Sequence, residues 1–379
     1  MQPLEGVLVA DLSRVLAGPL AAAMLADLGA TVVKVERPGT GDDTRHWGPP
    51  WTETSSSYFE SANRSKQSVE LDLDDPADNA LARELTRRAD VVIENYRVGA
   101  LDRRGLGYDD VAATNPGVVY ASISGFGSAE GRDLAGYDFL VQAVGGLMSI
   151  TGEPGAPTKV GVALVDVLTA KDATIGILAA LREREKSGRG QRVEVNLLSS
   201  LLGSLVNQAS GFLTTGRAPA AMANRHPSIA PYETLAAADG LIAVCCGNDG
   251  QFRRLAEVLD APGLADEPRF ATNPARVEHR DALVAELEKS LAQAPVTTWV
   301  ERLAKAGVPA GAVGSIADAF ALAERLGLDP TVDVGAHAPP QVRNPIRLDR
   351  TPISRYVAPP RLGEHNDDVR QWLAQGDTR

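Results

Sequence analysis

The chain has 379 residues, of which 44% are hydrophobic, and its 38 basic and 49 acidic side chains give a formal net charge of -11. This length and apolar content suffice for a large buried core, in two domains or in one large domain with an appendage. The negative balance argues against nucleic acid or an anionic membrane as a partner. The two cysteines, Cys245 and Cys246, are adjacent, which disfavours a disulfide between them and indicates reduced thiols in the cytoplasm.

Near-continuous apolar, β-branched segments predict four buried strands, at residues 6–12, 31–36, 91–95 and 118–124. Helical patterns at 19–28 and 78–88 lie between strands, and this alternation predicts a parallel α/β sheet. Asp27 interrupts the most apolar window, so no membrane span is expected. The first strand is not followed by a G-x-G-x-x-G fingerprint, which argues against a nicotinamide dinucleotide site.

The ends of these strands predict a ligand site. Ligands of parallel α/β sheets bind beyond the carboxyl ends of the strands, and here those ends carry Arg14, Arg37 and Arg97 with Asn95 and Tyr96. One such arginine alone is typical of a solvated surface. Three at successive strand ends suit a ligand with separated phosphate groups, and coenzyme A (CoA) is such a ligand.

Asp166 is the most informative single residue. Residues 159–165 are predicted to form a buried strand, and an amphipathic helical pattern follows, ending at Gly188. Asp166 is therefore expected at a strand-to-helix junction, where free backbone N–H groups and the helix dipole favour a charged carboxylate. On position alone, Asp166 is more typical of a helix N-cap than of a catalytic carboxylate.

The C-terminal half predicts a second, smaller folding unit. Residues 201–230 predict a helix followed by a linker, and residues 231–324 predict a small α/β domain. Its elements are expected to be a strand at 241–246 and helices at 249–258, 280–293 and 296–306. The five histidines lack the spacing of metal ligands, so no metal site is predicted.

Short motifs follow one another along nearly the whole chain. They include Leu12-Ser13-Arg14-Val15-Leu16-Ala17-Gly18-Pro19, Asn63-Arg64-Ser65-Lys66, Glu94-Asn95-Tyr96-Arg97-Val98-Gly99, Ser122-Ile123-Ser124-Gly125-Phe126-Gly127, Gly136-Tyr137-Asp138 and Leu362-Gly363-Glu364-His365. Each motif is weak alone, but their order and spacing are highly specific. With the segment that leads to Asp166, they resemble the class III CoA-transferase family, which includes formyl-CoA transferase, carnitine CoA-transferase and the related alpha-methylacyl-CoA racemases.

The resemblance implies that Asp166 is the nucleophile of a transferase, which moves CoA from an acyl-CoA to a small carboxylic acid through an aspartyl-CoA thioester. It implies a large Rossmann-like CoA-binding domain over residues 1–200, completed by residues 325–379, and a homodimer of two interlocked ring-like chains. CoA or acyl-CoA is expected as a substrate, with no metal. The residues expected to contact CoA are Leu16, Ala17, Arg37, Leu71, Asp72, Asn95, Tyr96, Arg97, Arg103, Tyr137 and Asp138.

Two alternative functions stay open. The racemase branch has Gly-His-Asp where this chain has Gly136-Tyr137-Asp138, and a phenol is a poor base at neutral pH, which favours the transferase. A catalytically inactive CoA-binding protein would keep the arginines and lose the nucleophile. The presence of Asp166 argues against that alternative.

The acid substrates and the groups that bind them are less defined. Gly247-Asn248-Asp249-Gly250 is a candidate oxyanion donor, although the segment equally fits a turn with an Asx cap. A second carboxylate would need a further cation, for which Arg45, Arg64 and Arg225 are candidates. Succinyl-CoA as donor, with a dicarboxylate or a short hydroxy acid as acceptor, is preferred because the approach to Asp166 is similar to that of dicarboxylate-using members.

Overall fold

The computed structural model describes residues 2–335 and 338–375, so the predicted C-terminal segment 325–379 lies partly outside the described residues. Numbered in chain order, the strands are β1 Leu8–Asp11, β2 Thr31–Glu36, β3 Lys66–Glu70, β4 Val91–Glu94, β5 Val119–Ser124, β6 Gln191–Asn196, β7 Tyr232–Ala236, β8 Leu241–Cys245, β9 Ala310–Ala312, β10 Thr331–Val332 and β11 Gln341–Val342. The helices are α1 Ala17–Asp27, α2 Ser57–Ser61, α3 Pro76–Arg88, α4 Tyr108–Thr114, α5 Asp138–Val144, α6 Leu147–Ile150, α7 Leu164–Ser187, α8 Leu197–Ser204, α9 Val206–Thr215, α10 Asp249–Val258, α11 Asn273–Glu278, α12 Arg280–Leu291, α13 Val296–Lys305, α14 Ile316–Arg325 and α15 Asn366–Ala374.

These elements form two compact units. The first unit contains Met1–Leu147, Val160–Arg217 and Asp329–Arg379, and the second contains Met148–Lys159 and Ala218–Leu328. The C-terminal segment therefore belongs to the first unit. Residues 148–159, which the sequence places within the large domain, cluster with the second unit instead.

The sheet of the first unit is parallel throughout, with the strand order β3-β2-β1-β4-β5-β6. This is the order of a doubly wound Rossmann-like sheet, so the predicted α/β fold class is confirmed. The two strands that the sequence did not predict, β3 and β6, are the edge strands. The only apolar residue of β3 is Val69, and β6 has Val193 and Val195 separated by a glutamate, so neither strand forms a continuous apolar run.

Two hydrophobic cores lie on the two faces of this sheet. Successive residues of a strand point to opposite faces, and accordingly Val9 joins one core and Ala10 the other. The first core includes α1 and α7, with Leu25 and Ile177 fully buried. The second includes α3 and α15, so the C-terminal helix, through residues such as Leu373, closes the second face.

One predicted strand is wrong. Residues 159–163 form no regular secondary structure, and α7 begins at Leu164. The apolar run before Asp166 has no neighbouring strand to pair with, and Gly161 and Val162 are exposed. A short apolar run is compatible with a strand, a loop or a helix start, and here tertiary contacts decide for a loop.

The second unit contains a three-stranded antiparallel sheet in the order β7-β8-β9. Helices α10, α12 and α13 contribute Phe252, Leu283 and Trp299 to its core. The predicted strand and the three predicted helices of this region are present, with ends that differ by at most a few residues. Among the helices of the described residues, none combines the length and the apolar character needed to cross a membrane.

Candidate active site

Asn95 joins the loops that follow β1 and β4. Its side chain accepts the backbone N–H of Arg14 (2.8 Å) and donates to the Arg14 carbonyl (2.7 Å). The N–H of Tyr96 donates to the Glu94 carboxylate at 2.9 Å, and the Arg14 guanidinium lies 5.0 Å from the centre of the Tyr96 ring. Asn95, predicted to contact CoA, therefore already uses both polar groups of its amide to fix the loops around the site.

Gly125 and Gly136 bring the loop after β5 against the start of α5. A Cβ atom on Gly125 would lie 2.5 Å from the Cα of Gly136. Cβ atoms in real proteins do not come this close to a non-bonded atom. Only glycine at both positions allows this contact. The contact explains why two motifs that are separate in the sequence, one after β5 and the other ending in Tyr137 and Asp138, meet at one edge of the sheet.

Asp138 caps the helix that carries Asp166. Its Oδ1 accepts the backbone N–H groups of Val165 (2.7 Å) and Asp166 (3.3 Å), and its Oδ2 accepts a hydrogen bond from Gln142 (2.7 Å). The N-cap position of α7 is Ala163, which has no capping side chain. Asp166 is thus the third residue of the helix, and the N-cap interpretation of its role is wrong. Its own carboxylate has no hydrogen-bond partner among the described residues.

Asp166 lines a cleft of about 220 Å³ in the first unit. The cleft is formed by the loops that follow β1, β4 and β5 together with the start of α5. Seven of the sequence-predicted site residues line it: Leu16, Ala17, Asn95, Tyr96, Arg97, Tyr137 and Asp166. Arg14 and Arg132 line it as well. The sequence did not single out Arg132, because an isolated arginine in a polar loop carries no pattern.

The other residues predicted to contact CoA do not line this cleft. Among them, Asp138 contributes indirectly, because it caps the helix that carries Asp166. Arg37 is paired with Asp43 at 2.5 Å. The Leu71 side chain is buried in the core, so only its main chain can reach a ligand. Asp72 is exposed and accepts a backbone N–H in its own turn, and Arg103 lies beside Gly99 at the rim. Their contact with CoA stays a prediction.

Burial is the main influence on the charge of Asp166. It raises the pKa of Asp166 from its ordinary value of 3.8 to about 7, and the negative charge of Asp138 adds to this increase. The sequence predicts that the helix N-terminus favours the charged form of Asp166. Burial and the charge of Asp138 outweigh that effect. Burial, together with Asp166 and Asp138, also raises the pKa of Tyr58 to about 12. Tyr58 thus adds a protonated phenol near the two carboxylates, which no sequence pattern indicated.

A buried ion pair supports the loop that carries Leu16 and Ala17. Lys34 Nζ donates to Asp42 (3.0 Å) and to the Ser13 carbonyl (2.9 Å), and Asp42 Oδ2 accepts the backbone N–H of Val15 (3.2 Å). Burial alone would raise the pKa of Asp42, but Lys34 and hydrogen bonds outweigh it and lower that pKa to about 2. Val15 has a φ of 71°, a conformation that costs a β-branched residue about 1–2 kcal/mol. These bonds hold it there.

Sequence comparison places the whole chain in one known family. The model of CoA-transferase family III matches residues 4–366. The chain belongs to this family. The family resemblance found in the motifs is thereby confirmed, and so is the assignment of the chain to the CoA-transferases.

Relatives and solved structures agree with this assignment. A succinate–glutarate CoA-transferase of Agrobacterium fabrum is 44% identical over 97% of this chain and 94% of the relative. An acetyl-CoA:oxalate CoA-transferase of Acetobacter aceti is 39% identical over 100% of this chain and 97% of the relative. The crystal structure of a CAIB/BAIF family protein from Brucella suis is similar with a TM-score of 0.89 and 42% identity, covering 98% of this chain and 99% of that chain.

The three arginines predicted as cations for a second carboxylate are already paired. Each forms ion pairs with acidic side chains of its own unit, and its role toward a second carboxylate stays a prediction. The pairs are Arg45 with Glu36 (2.8 Å), Arg64 with Asp27 (2.6 Å), and Arg225 with Glu233 (3.3 Å) and Asp281 (2.9 Å). The sequence missed this because each partner is distant or lies in another element.

The segment Gly247–Gly250 forms the turn at the start of α10 in the second unit. Asn248 accepts the N–H of Gln251 at 2.9 Å, and the N–H of Gly247 donates to the Gln251 side chain at 2.8 Å. The Asx-capped turn is therefore present, and a role of the segment as oxyanion donor stays a prediction. The N–H of Gly247 is occupied, so it is not a free oxyanion donor.

Proposed function

We propose that this protein moves CoA from an acyl-CoA to a carboxylic acid through an aspartyl-CoA thioester on Asp166. The supporting observation is the position of Asp166, whose carboxylate has no protein partner among the described residues and lines a cleft with Arg14, Arg97 and Arg132. A carboxylate without protein partners can attack a thioester, and arginines bind phosphate groups through charge-assisted hydrogen bonds. One cleft therefore offers both a nucleophile and a binding surface for CoA.

The reaction proceeds in two half-reactions, each of which passes through a mixed anhydride. The Asp166 carboxylate attacks the acyl carbon of the donor thioester, which forms a mixed anhydride and releases CoA thiolate. The thiolate attacks the Asp166 carbonyl carbon, the donor acid leaves as a carboxylate, and aspartyl-CoA remains. The acceptor carboxylate then attacks this thioester and releases the thiolate again. Attack of the thiolate on the acceptor acyl carbon forms the new acyl-CoA and restores the Asp166 carboxylate.

Backbone N–H groups at the start of α1 are suited to stabilise the oxyanions of these steps. The N–H groups of Leu16 and Ala17 form no hydrogen bond with a described residue, and both residues line the cleft with Asp166. Free N–H groups at a helix N-terminus attract developing negative charge. The buried setting of Asp166 also limits water, which would hydrolyse the anhydride and the thioester.

For the substrates we propose succinyl-CoA as donor and a dicarboxylic acid as acceptor. The names of the relatives support this pairing, because the Agrobacterium protein is a succinate–glutarate CoA-transferase and a human relative, 38% identical, is a succinyl-CoA:glutarate CoA-transferase. The Acetobacter relative uses oxalate, which is also a dicarboxylate. A donor-by-acceptor screen, with mass spectrometry of the acyl-CoA products, identifies the acids directly.

Asp166→Asn tests the mechanism. Asparagine keeps the size of the side chain, but an amide is a very poor nucleophile, so transfer should be lost while CoA still binds. Asp172→Asn on an exposed position of α7 is the matched control and should keep activity. Hydroxylamine added with acyl-CoA should modify Asp166 of the wild-type protein and leave its peptide unmodified in Asp166→Asn. Wild-type turnover by Asp166→Asn, with deamidation excluded, would refute the covalent mechanism.

We also propose an interlocked homodimer in the cytoplasm. The first unit exposes large apolar side chains on two helices, Phe139 and Val144 on α5 and Val206 and Leu213 on α9, and such surfaces are typical of protein interfaces. Cys245 and Cys246 are both free, as expected in a reducing compartment. Light scattering of the purified protein should give the mass of a dimer. A monomer at micromolar concentration would contradict this proposal.

A further inference from the structure

Gln142 on α5 is fully buried, although its side chain ends in a polar amide. Val141 beside it and Val165 at the start of α7 are fully buried members of one hydrophobic core. An amide that is buried without hydrogen bonds would destabilise the fold. Gln142 does not line the cleft of Asp166, so its amide is not held in reserve for a substrate. Its partners within the protein therefore indicate what it does.

The Gln142 amide joins α5 to the start of α7. Its Nε2 donates to Asp138 Oδ2 at 2.7 Å, and its Oε1 accepts the backbone N–H of Val160 at 2.9 Å. Nε2 also lies 3.4 Å from the Val162 carbonyl oxygen. Val160 and Val162 belong to the irregular segment that leads into α7, and Asp138 caps α7 through its other oxygen. One side chain therefore holds both the segment before the helix and the carboxylate that caps the helix.

The orientation of the Gln142 amide follows from these partners. With its oxygen and nitrogen exchanged, the oxygen would face the Asp138 carboxylate and the NH2 group would face the Val160 N–H, so like would meet like. A glutamate here would donate only when protonated, and a methionine would have no strong donor or acceptor. Because Nε2 engages Oδ2 of Asp138, Oδ1 stays turned to the N–H groups of α7.

The position of Asp166 depends on this cap. The N-cap residue of α7 is Ala163, which has no side chain to cap the helix, and Asp138 takes over that role. Asp138 is in turn held by Gln142. A displacement of a reacting group by about 1 Å can lower a rate about a hundredfold. Loss of the Gln142 hydrogen bonds would loosen the first turn of α7 and with it the carboxylate of Asp166.

We propose that Gln142 is a positioning residue for Asp166: through Asp138 and the segment before α7, it keeps the Asp166 carboxylate in the orientation that attacks the thioester. This inference rests on the proposed function, because the covalent role of Asp166 is what makes its orientation matter. Since Gln142 does not line the cleft, its loss should slow the reaction and leave CoA affinity unchanged.

Gln142→Met tests the proposal, because methionine is similar in size and lacks the amide. The rate of aspartyl-CoA formation at saturating acyl-CoA, measured by rapid quench, should fall about tenfold or more, with an unchanged calorimetric dissociation constant for CoA. Hydrogen exchange of the peptide that covers the start of α7 should be faster than in wild type. Gln371→Glu, at an exposed position of α15, is the control and should change none of these quantities. Thermal unfolding confirms that each variant is folded.

Gln142→Glu gives a second test that does not depend on the methionine variant. Its carboxyl group can donate to Asp138 only while it is protonated, and two carboxylates in contact do not both ionise readily. The rate of aspartyl-CoA formation should therefore rise with pH as Asp166 ionises, and then fall below wild type by pH 9 as the new pair loses its shared proton. Tyr58, whose pKa Asp138 and Asp166 help to raise to about 12, stays neutral over this range. A profile that follows wild type from pH 5 to 9 would overturn the proposal.

The outcomes separate this inference from the proposed function. Slower aspartyl-CoA formation in Gln142→Met, with faster exchange at the start of α7, supports the inference. A wild-type rate in Gln142→Met overturns it and leaves the proposed function intact where Asp166→Asn is inactive. A loss of CoA affinity as large as the loss of rate also overturns it, because the cleft itself would then be disturbed. Wild-type turnover by Asp166→Asn refutes the proposed mechanism, and the inference falls with it even where hydrogen exchange shows that Gln142 stabilises α7.

Discussion

Oδ1 of Asp138 accepts the backbone N–H of Asp166 at 3.3 Å, so one carboxylate caps the helix that presents the other. The contact stabilises the first turn of α7, which otherwise has no capping side chain. It also brings a negative charge close to Asp166. Burial first, and Asp138 second, raise the pKa of Asp166 to about 7. The residue that fixes the position of Asp166, the proposed nucleophile, therefore also contributes to its raised pKa.

The pH dependence of the first half-reaction should show this coupling. Attack requires ionised Asp166, so the rate of aspartyl-CoA formation should rise as pH increases towards about 7 and then level off. Asp138→Asn removes the neighbouring negative charge, so the rise should move to lower pH. Rapid-quench measurement of the thioester from pH 5 to 9 follows the profile. Asp172→Asn should leave it unmoved, and an identical profile in Asp138→Asn would show that Asp138 does not influence Asp166.

The free energy of unfolding should also depend on pH because of the raised pKa of Asp166. Because the pKa of Asp166 is higher in the folded than in the unfolded chain, the folded state binds more protons between about pH 4 and 7, and its stability falls as pH rises through that window. Asp166→Asn cannot ionise. The difference in free energy of unfolding between Asp166→Asn and wild type should therefore grow in favour of the variant as pH rises through this window. By pH 8 the variant should have gained about 1 to 3 kcal/mol over wild type. Urea unfolding at pH 4, 6 and 8 measures this difference, and a constant difference would contradict the raised pKa.

The fold was predictable where local pattern is sufficient. The apolar run over 31–36 coincides with β2, because a central parallel strand is buried on both faces. The active-site details required tertiary contacts. Asp138 and Asp166 are 28 positions apart in the chain, and nothing in either motif indicates that one caps the helix of the other. Arg132 likewise lines the cleft with Asp166 only because the loop that carries it packs on the chain that leaves β5.

The arginines at the strand ends, Arg14, Arg37 and Arg97, should contribute unequally to CoA binding. Arg97 has no ion-pair partner among the described residues, so Arg97→Ala should weaken acyl-CoA binding by about 1.5 to 3 kcal/mol. Arg37→Ala should cost less, because Asp43 already neutralises Arg37 at 2.5 Å. Asp43→Asn should accordingly tighten binding, since it releases two arginines. Calorimetry with Arg189→Ala as control decides this, and equal losses for Arg37 and Arg97 would show that Asp43 yields to the ligand without cost.

The Lys34–Asp42 pair should be essential for the stability of the first unit. Both side chains are fully buried, and Lys34→Met would leave Asp42 without its cation. Breaking a buried ion pair in this way costs about 3 to 5 kcal/mol. The double variant Lys34→Met/Asp42→Asn should recover part of the loss, because no uncompensated charge remains. Urea unfolding measures both, and a loss below about 1 kcal/mol for Lys34→Met would mean that the site admits water.

The last prediction separates transfer from racemisation. A racemase exchanges the α-proton of a 2-methylacyl-CoA through two groups on opposite faces of that carbon, whereas transfer requires one carboxylate. Tyr137 stands where the racemase branch has histidine, and a phenol is a poor base at neutral pH. We therefore expect no appreciable deuterium at the α-carbon after incubation in heavy water, alongside CoA exchange with at least one dicarboxylic acid. Mass spectrometry of the acyl-CoA measures both.

Tyr137→His is the informative variant, because it restores the missing base. α-Deuteration in this variant alone would assign the difference between the two branches to this residue. Rapid deuteration by the wild type, with no transfer to any acid, would reverse the assignment.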